Sequence, residues 1–273
     1  MKVTTIVGTR PEIIRLSRVM AALDRCMEHV IIHTGQNYDY ELNQIFFDDL
    51  EIRKPDHFLD ASGKNAAQTI GLIIARIDEV LAAVKPDAVL ILGDTNSCLA
   101  AISAKRRKIP IFHMEAGNRC FDQCVPEEIN RKIVDHISDI NMPYSGISRE
   151  YLLREGIPPD RVIKTGSPMF EVLHYYMPKI LSSVIRDRLR LRDREYFVVS
   201  CHREENVDNE YNFLGLIELL KGLATTYGKR IIMTTHPRTR KRIEQEGISL
   251  PILVELHKPF SLSDYVNLQI HAH

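Results

Sequence analysis

The sequence lacks the features that would direct a chain to a membrane or to nucleic acid. Its 273 residues contain 36 Lys and Arg and 36 Asp and Glu, so no basic excess favours broad binding of nucleic acid or anionic lipid. No apolar run reaches the roughly 18 residues that a membrane span needs. The start, MKVTTIVGTRP, lacks the apolar core of a secretory signal. These absences predict a cytoplasmic protein with a small-molecule partner.

The cysteines offer neither a disulfide framework nor a recognisable metal site. There are five, an odd number, and none forms a CxxC pair, which favours reduced thiols. Cys120 and Cys124 could join His113 at a zinc ion, but the spacing matches no common zinc site and a fourth ligand is missing. We therefore expect no metal.

Strand and helix patterns alternate along the first 170 residues. Short continuous apolar runs are typical of parallel strands buried on both faces, and apolar residues three and four apart indicate helices. The predicted strands are 3–7, 29–33, 88–92 and 109–114. The predicted helices are 12–25, 40–50, 66–84, 96–107 and 126–138. This alternation predicts an α/β fold with a parallel sheet.

A second alternation begins near residue 196, after a helical connector at 168–192. Strands are predicted at 197–200, 230–234 and 252–256, and helices at 209–226 and 238–246. Two series of this kind predict two Rossmann-like lobes. We place the first at 1–170, and the connector with a second lobe at 171–273.

Polar or ionisable residues follow four of the predicted strands. Ligands of open parallel sheets bind outside the carboxyl ends of the strands. Each segment alone could be a turn or a helix cap, but their shared position favours a binding site. The segments are GTRP at 8–11, GDT at 93–95, EAG at 115–117 and HR at 202–203.

The first of these turns predicts a nucleotide diphosphate rather than NAD or ATP. It lacks the GxGxxG and GxxxxGK[ST] spacings. Gly8 would permit a sharp turn, and the helix that starts near Pro11 would offer unpaired N–H groups. Arg10 and Arg15 add donors for a diphosphate, although Arg15 could equally be a solvated helix residue.

Six segments, taken in order, resemble the non-hydrolysing UDP-N-acetylglucosamine 2-epimerases over the whole chain. They are GTRPEIIRLS, HTGQNYDYELNQIFFDDL, LGDTNS, HMEAGNRCFD, VPEEINRKIVDH and SCHREEN. HTGQNYDY, NRCFDQCVPEEINRKIVDH and TGSPMFEV are similar to one branch of that family. That branch converts UDP-2-acetamido-2,6-dideoxy-β-L-talose to UDP-N-acetyl-L-fucosamine for capsule and O-antigen synthesis.

The resemblance implies a GT-B-type pair of Rossmann-like lobes, assembled as a homodimer, with a UDP-acetamido sugar between the lobes and no metal or NAD. It also implies that UDP is eliminated across C1 and C2, giving a 2-acetamidoglycal, and is then added back with the proton on the other face. Such chemistry needs two proton-handling groups and a stabilised leaving diphosphate.

The resemblance also assigns site residues. Those matching the family's functional carboxylates and its histidine near the diphosphate are Asp94, Glu115, Glu127 and His202. Those expected to bind substrate are Arg10, Arg15, Arg131 and His236. Arg131, like Asn130 on its helical face, could contact the sugar or orient the carboxylate, and Glu127 and His236 could instead serve helix starts. Carboxylates clustered in a closed cleft predict raised pKa values.

Some features depart from the family pattern. Arg15 stands where the family has Lys, and His257 where it often has Gln. The sequence ends before the Asp-Ser-Gly-rich loop and Thr-Glu-Arg-Pro-Glu motif that help hold UDP, so we expect an incomplete second lobe and little activity. Two other functions stay open: an inactive UDP-sugar-binding fragment, and a GT-B glycosyltransferase that needs an acceptor.

Overall fold

The computed structural model describes residues 1–35, 40–201, 209–235 and 237–273. The chain divides into two compact units, Met1–Tyr175 and Tyr176–His273. The division falls inside one helix, Met169–Leu181, which also contains the boundary expected near Phe170. No helix in the described ranges is both long and apolar enough to cross a membrane.

The first unit is built on a six-stranded sheet in the order β3-β2-β1-β4-β5-β6, and every pairing in it is parallel. The strands are β1 (Lys2–Val7), β2 (Glu28–His33), β3 (His57–Phe58), β4 (Ala88–Leu92), β5 (Ile111–Met114) and β6 (Ile140–Met142). The order reverses between β1 and β4, and a reversal of this kind opens a crevice at the carboxyl ends of the strands.

Helices pack on this sheet because its central strands are apolar on both faces. Every residue of β4 is buried, and Ile6, Val89 and Ile91 share a core with Ile73 and Ile77 of the third helix. The helices are α1 (Arg10–Cys26), α2 (Tyr40–Asp49), α3 (Ala66–Val84), α4 (Ala101–Arg106), α5 (Pro126–Ile137), α6 (Gly146–Arg154) and α7 (Met169–Leu181).

The second unit has a three-stranded parallel sheet in the order β7-β8-β9. Its strands are β7 (Tyr196–Ser200), β8 (Arg230–Thr234) and β9 (Val254–His257). Its helices after α7 are α8 (Ile185–Leu189), α9 (Glu210–Tyr227), α10 (Pro237–Gln245) and α11 (Leu262–His271). Leu216 and Leu220 of α9 pack on Ile231 and Met233 of β8.

Most predicted elements are confirmed, and β4, α3 and β8 have the predicted bounds. The helix predicted at 96–107 is wrong in its first part, because Asn96–Ala100 forms a 3₁₀ helix before α4. The strand predicted at 109–114 starts later, after Pro110, which has no N–H for the ladder. The short strands β3 and β6 were not predicted, since two or three residues show no periodicity.

Candidate active site

Two predicted carboxylates lie at the carboxyl edge of the first sheet. Asp94 follows β4 and Glu115 follows β5, two strands that pair side by side. Glu115 has a φ of 62°, in the left-handed region that a residue with a Cβ seldom adopts. Such a conformation persists only where the surroundings fix it, and it is often found at functional sites.

Arg131 of α5 joins the two carboxylates. Arg131 is 5 % exposed. Its guanidinium donates to Oδ2 of Asp94 and to the carbonyl oxygen of Glu115, and lies 3.3 Å from Oε1 of Glu115. Its neighbour Asn130 donates to the carbonyl oxygen of Asp94 at 2.9 Å. Arg131 thus contacts the carboxylates of Asp94 and Glu115, while its contact with the sugar stays a prediction.

Arg15 of α1 adds a second cation to this group. Its Nη1 donates to Oε2 of Glu115, so it is not simply a solvated helix residue. The charges of Arg15 and Arg131 therefore balance those of Asp94 and Glu115. Because the group is neutral as a whole, a bound diphosphate would need further positive charge or would have to draw Arg15 away from Glu115.

The two acidic residues at the start of α5 differ in their surroundings. Glu127 is exposed, so its carboxylate is open to a ligand. Glu128 is buried, accepts a hydrogen bond from the Cys120 amide at 2.9 Å and lies 3.0 Å from Nζ of Lys132. Glu128 thus fixes the loop before α5 to the helix.

The β1–α1 turn differs from the predicted one at Gly8, and its two amides that precede α1 are occupied. The amides of Gly8 and Thr9 are not free, because they donate to Oε2 of Glu12 at 2.5 and 2.8 Å. Gly8 does not adopt a positive φ; a Cβ there would lie 2.0 Å from Oγ of Ser97 and 2.1 Å from Oγ1 of Thr34. Glycine is needed at this position for close packing rather than for a special turn.

Glu12 is a site residue that sequence reasoning missed. It is 1 % exposed, and burial raises its pKa to about 7 against the hydrogen bonds from Thr95 and the Gly8 and Thr9 amides, which lower it. Glu12 is not among the carboxylates for which the sequence predicted a raised pKa, and burial alone produces the increase here. The spacing of Thr9 and Glu12, typical of a capping box, was the available signal.

A buried network of hydrogen bonds lies beneath the ends of β4 and β5. Nε2 of His113 lies 2.8 Å from the carbonyl oxygen of Gly93, and Nδ1 lies 2.9 Å from Oδ1 of Asp135. Asp135 also accepts hydrogen bonds from the Gly117 amide at 3.1 Å and Arg119 at 2.7 Å. Burial raises the pKa of Asp135, but the hydrogen bonds and charges of His113 and Arg119 hold it below its usual range.

After Glu12, Tyr144 is a second residue near this group of charged side chains that the sequence did not indicate. It follows β6 at the same edge of the sheet, and its buried hydroxyl has no hydrogen-bond partner among the described residues. Burial, together with the negative charge of Glu115, raises its pKa. The phenol therefore stays protonated and can act as a donor.

The remaining predicted site residues are Arg10, His202 and His236. The guanidinium of Arg10 lies 5.8 Å from the centre of the Phe46 ring. His202 and His236 lie outside the described residues. In the second unit, His257 ends β9, with Nε2 3.3 Å from Oε2 of Glu255.

The sequence pattern of the UDP-N-acetylglucosamine 2-epimerase family matches residues 21–273. The chain belongs to this family. The predicted resemblance and the GT-B-type α/β fold class are thereby confirmed, since solved epimerases share the fold across the chain.

Solved epimerase structures match the whole chain closely. A Rickettsia bellii UDP-N-acetylglucosamine 2-epimerase has 54 % identity and a TM-score of 0.89, with 100 % of this chain and 72 % of that one covered. The Methanocaldococcus jannaschii UDP-GlcNAc 2-epimerase in complex with UDP-GlcNAc and UDP has 33 % identity and a TM-score of 0.92, with 100 % and 77 % covered.

The family includes enzymes for other acetamido sugars. A Pseudomonas aeruginosa UDP-2,3-diacetamido-2,3-dideoxy-D-glucuronate 2-epimerase is 34 % identical over 260 residues, which are 93 % of this chain and 72 % of that protein. The comparisons thus establish the family, while the sugar varies among its members.

Proposed function

We propose that this chain inverts C2 of a UDP-linked 2-acetamido sugar. The observation that carries the proposal is the group in which Arg131 binds Asp94 and Glu115 at adjacent strand ends. Membership of the epimerase family places this group among enzymes named for the reaction.

Removal of the weakly acidic C2 proton leaves an electron pair that needs an acceptor, and elimination of UDP provides one. A carboxylate takes the C2 proton, the C–H electron pair forms the C1–C2 double bond, and the C1–O bond breaks with its electrons passing to UDP. In the return step UDP adds to C1 and a carboxylic acid delivers a proton to the opposite face of C2. The step balances without an oxidant or a cofactor.

The site residues divide between these two demands. We assign proton transfer to Asp94, Glu115 and Glu127. We assign the diphosphate to Arg10, Arg15, His202 and His236. Arg15 can leave Glu115 for the diphosphate, and that exchange would free the carboxylate Oε2 of Glu115 to accept a proton.

Finer assignments follow from the branch that the sequence resembles. We propose UDP-2-acetamido-2,6-dideoxy-β-L-talose as a substrate, with UDP-N-acetyl-L-fucosamine as the product for capsule or O-antigen synthesis. We also propose a cytoplasmic homodimer. Sedimentation of the purified protein tests the dimer, and a sedimenting monomer at assay concentration would contradict it.

Product analysis tests the activity and separates the alternatives. UDP-N-acetylglucosamine and UDP-2-acetamido-2,6-dideoxy-β-L-talose are each supplied without an acceptor, and the sugar nucleotides are resolved by NMR. We expect the C2 epimer of at least one of them, UDP-N-acetylmannosamine or UDP-N-acetyl-L-fucosamine, to appear. A UDP-sugar that binds but stays unchanged indicates a binding fragment, and turnover only with an added sugar acceptor indicates a glycosyltransferase; either outcome contradicts the proposal.

A further inference from the structure

One buried carboxyl group links two loops of the candidate site. Oε2 of Glu12 accepts the amides of Gly8 and Thr9 at 2.5 and 2.8 Å, and Oε1 accepts the hydroxyl of Thr95. Gly8 and Thr9 form the β1–α1 turn, whereas Thr95 follows β4. The contact joins residues 83 positions apart in the sequence.

The link matters because two of the three residues that it holds are bonded directly to predicted site residues. Thr95 is bonded covalently to Asp94, and Thr9 to Arg10. On the other side of the turn, Gly8 packs against the hydroxyls of Thr34 and Ser97, which lie 2.9 Å apart. A shift of the Glu12 carboxyl would therefore move the loop that carries Asp94, the turn that carries Arg10, or both.

We propose that Glu12 is a positioning residue that sets the place of Asp94 relative to the β1–α1 turn. The inference rests on the proposed function for its catalytic consequence, but its contacts stand independently of that function. Misplacing a reacting group by about 1 Å can cost up to about 100-fold in rate, so a link of this kind acts on turnover without touching the substrate.

The link does not depend on the charge of Glu12. When ionised, the carboxylate accepts all three hydrogen bonds; when protonated, Oε1 can donate to the Thr95 hydroxyl, which then accepts. Glutamine has the same geometry, because its carbonyl oxygen can accept both amides while its NH₂ group donates to Thr95. Glu12→Gln should therefore preserve the link, and Glu12→Ala should abolish it.

Thr95 offers a second pair of matched variants. Thr95→Val keeps the shape and removes only the hydroxyl, while Thr95→Ser keeps the hydroxyl. In Thr95→Val we expect kcat for UDP-N-acetylglucosamine to fall by about tenfold, with the Kd for UDP within about twofold, since the bonds to Gly8 and Thr9 remain. Thr95→Ser and Glu12→Gln should stay within about threefold of the wild-type kcat.

The kcat is expressed per UDP-binding site, so partial unfolding does not imitate the effect. A wild-type kcat in Thr95→Val, or a Glu12→Gln variant as slow as Thr95→Val, would overturn the inference. A purely structural role would lower the number of binding sites and leave kcat per site unchanged.

Amide hydrogen exchange tests the same link without turnover. The Gly8 and Thr9 amides should exchange slowly in the wild type and in Glu12→Gln, and at least about tenfold faster in Glu12→Ala. Equal exchange in all three would overturn the inference. A wild-type chain that binds UDP but shows no epimerisation would contradict the proposed function alone, and the exchange data would still decide whether the link exists.

Discussion

The two units of the chain differ in where they keep their charged side chains. The first unit buries several at or beneath the carboxyl edge of its sheet: Glu12, Glu115, Glu128, Arg131 and Asp135. Within the described part of the second unit, no Asp, Glu, Lys or Arg is buried. Its ion pairs, such as Arg188 with Asp264 and Arg242 with Glu246, are at least partly exposed.

This difference indicates at which described residues the folded state bears the free-energy cost of burying a charge. Burying a charge is unfavourable unless partners compensate it, whereas an exposed pair gains and loses little. The first unit bears that cost at Glu115 and Arg131, which belong with Asp94 to the group on which the proposed function rests. The exposed pairs of the second unit need no functional explanation.

The largest contrast is expected between Arg131 and Arg188. Arg131→Met leaves Asp94 and Glu115 without their shared cation, so we expect a loss of about 3–5 kcal/mol in the free energy of unfolding and at least about a 100-fold loss of kcat. Arg188→Ala breaks a pair whose arginine side chain is 59 % exposed and should cost less than about 1 kcal/mol. Urea unfolding measures both, and equal losses would remove the contrast.

The next largest effect is expected in the pH dependence of the free energy of unfolding. The pKa of Glu12 in the folded chain is about 7, above the ordinary value of 4.5, so the folded state binds its proton more tightly than the unfolded state. The stabilising contribution is present below about pH 4.5 and is lost as pH rises through about 7. As pH rises from 5 to 8, we expect the free energy of unfolding of Glu12→Gln to increase by about 2 kcal/mol relative to that of the wild type.

Denaturant unfolding across that pH range supplies the measurement. Asp94, Arg131 and Asp135, whose charges act together with that of Glu12 on the Cys98 thiol, are common to both proteins, so their contributions cancel in the difference. Parallel stability curves for the wild type and Glu12→Gln would show that the pKa of Glu12 is not raised.

Glycine substitutions should have opposite signs in the two units. In Gly8→Ala the new Cβ would lie 2.0 Å from Oγ of Ser97, so we expect a loss of about 1–3 kcal/mol. Gly215 lies within α9, and nothing lies within 4 Å of its Cβ position, so Gly215→Ala should gain about 0.5–1 kcal/mol. Thermal unfolding of the pair measures both; a stabilised Gly8→Ala would contradict the packing described for the β1–α1 turn.

The smallest contrast concerns two tyrosine hydroxyls. Tyr196 of the second unit donates to the carbonyl oxygen of Leu268 at 2.8 Å, so Tyr196→Phe should lose about 1 kcal/mol. The hydroxyl of Tyr144 has no such partner among the described residues, and Tyr144→Phe should be as stable as wild type or more stable. A larger loss in Tyr144→Phe than in Tyr196→Phe would mean that the Tyr144 hydroxyl has a partner in solution.

The sequence predicts the parallel strands and most helices because their apolar periodicity is set by burial on both faces, as in β4 and α3. It also predicts that the segments with Asp94 and Glu115 belong to one binding site, because ligands of parallel sheets bind outside the carboxyl ends of the strands. It could not predict the left-handed backbone of Glu115, nor that Arg131 would bind Asp94, because both depend on packing between distant segments.

Other features could not be predicted because the local sequence around them gives too weak a signal. Glu12 accepts hydrogen bonds from the amides of Gly8 and Thr9 before α1, and the capping-box spacing suggests this only once the helix start is known. Tyr144 follows a three-residue strand that has no periodic signal. Its place beside Glu115 comes from the sheet order alone.

The most direct test of the central claim is the fate of the C2 hydrogen during epimerisation in D₂O. The chain is incubated with UDP-N-acetylglucosamine, and the epimer is examined by NMR and mass spectrometry. The elimination mechanism transfers the C2 proton to a carboxylate that exchanges with solvent before re-addition, so it predicts one deuterium at C2 of the product. An epimer that retains its original C2 hydrogen would contradict it.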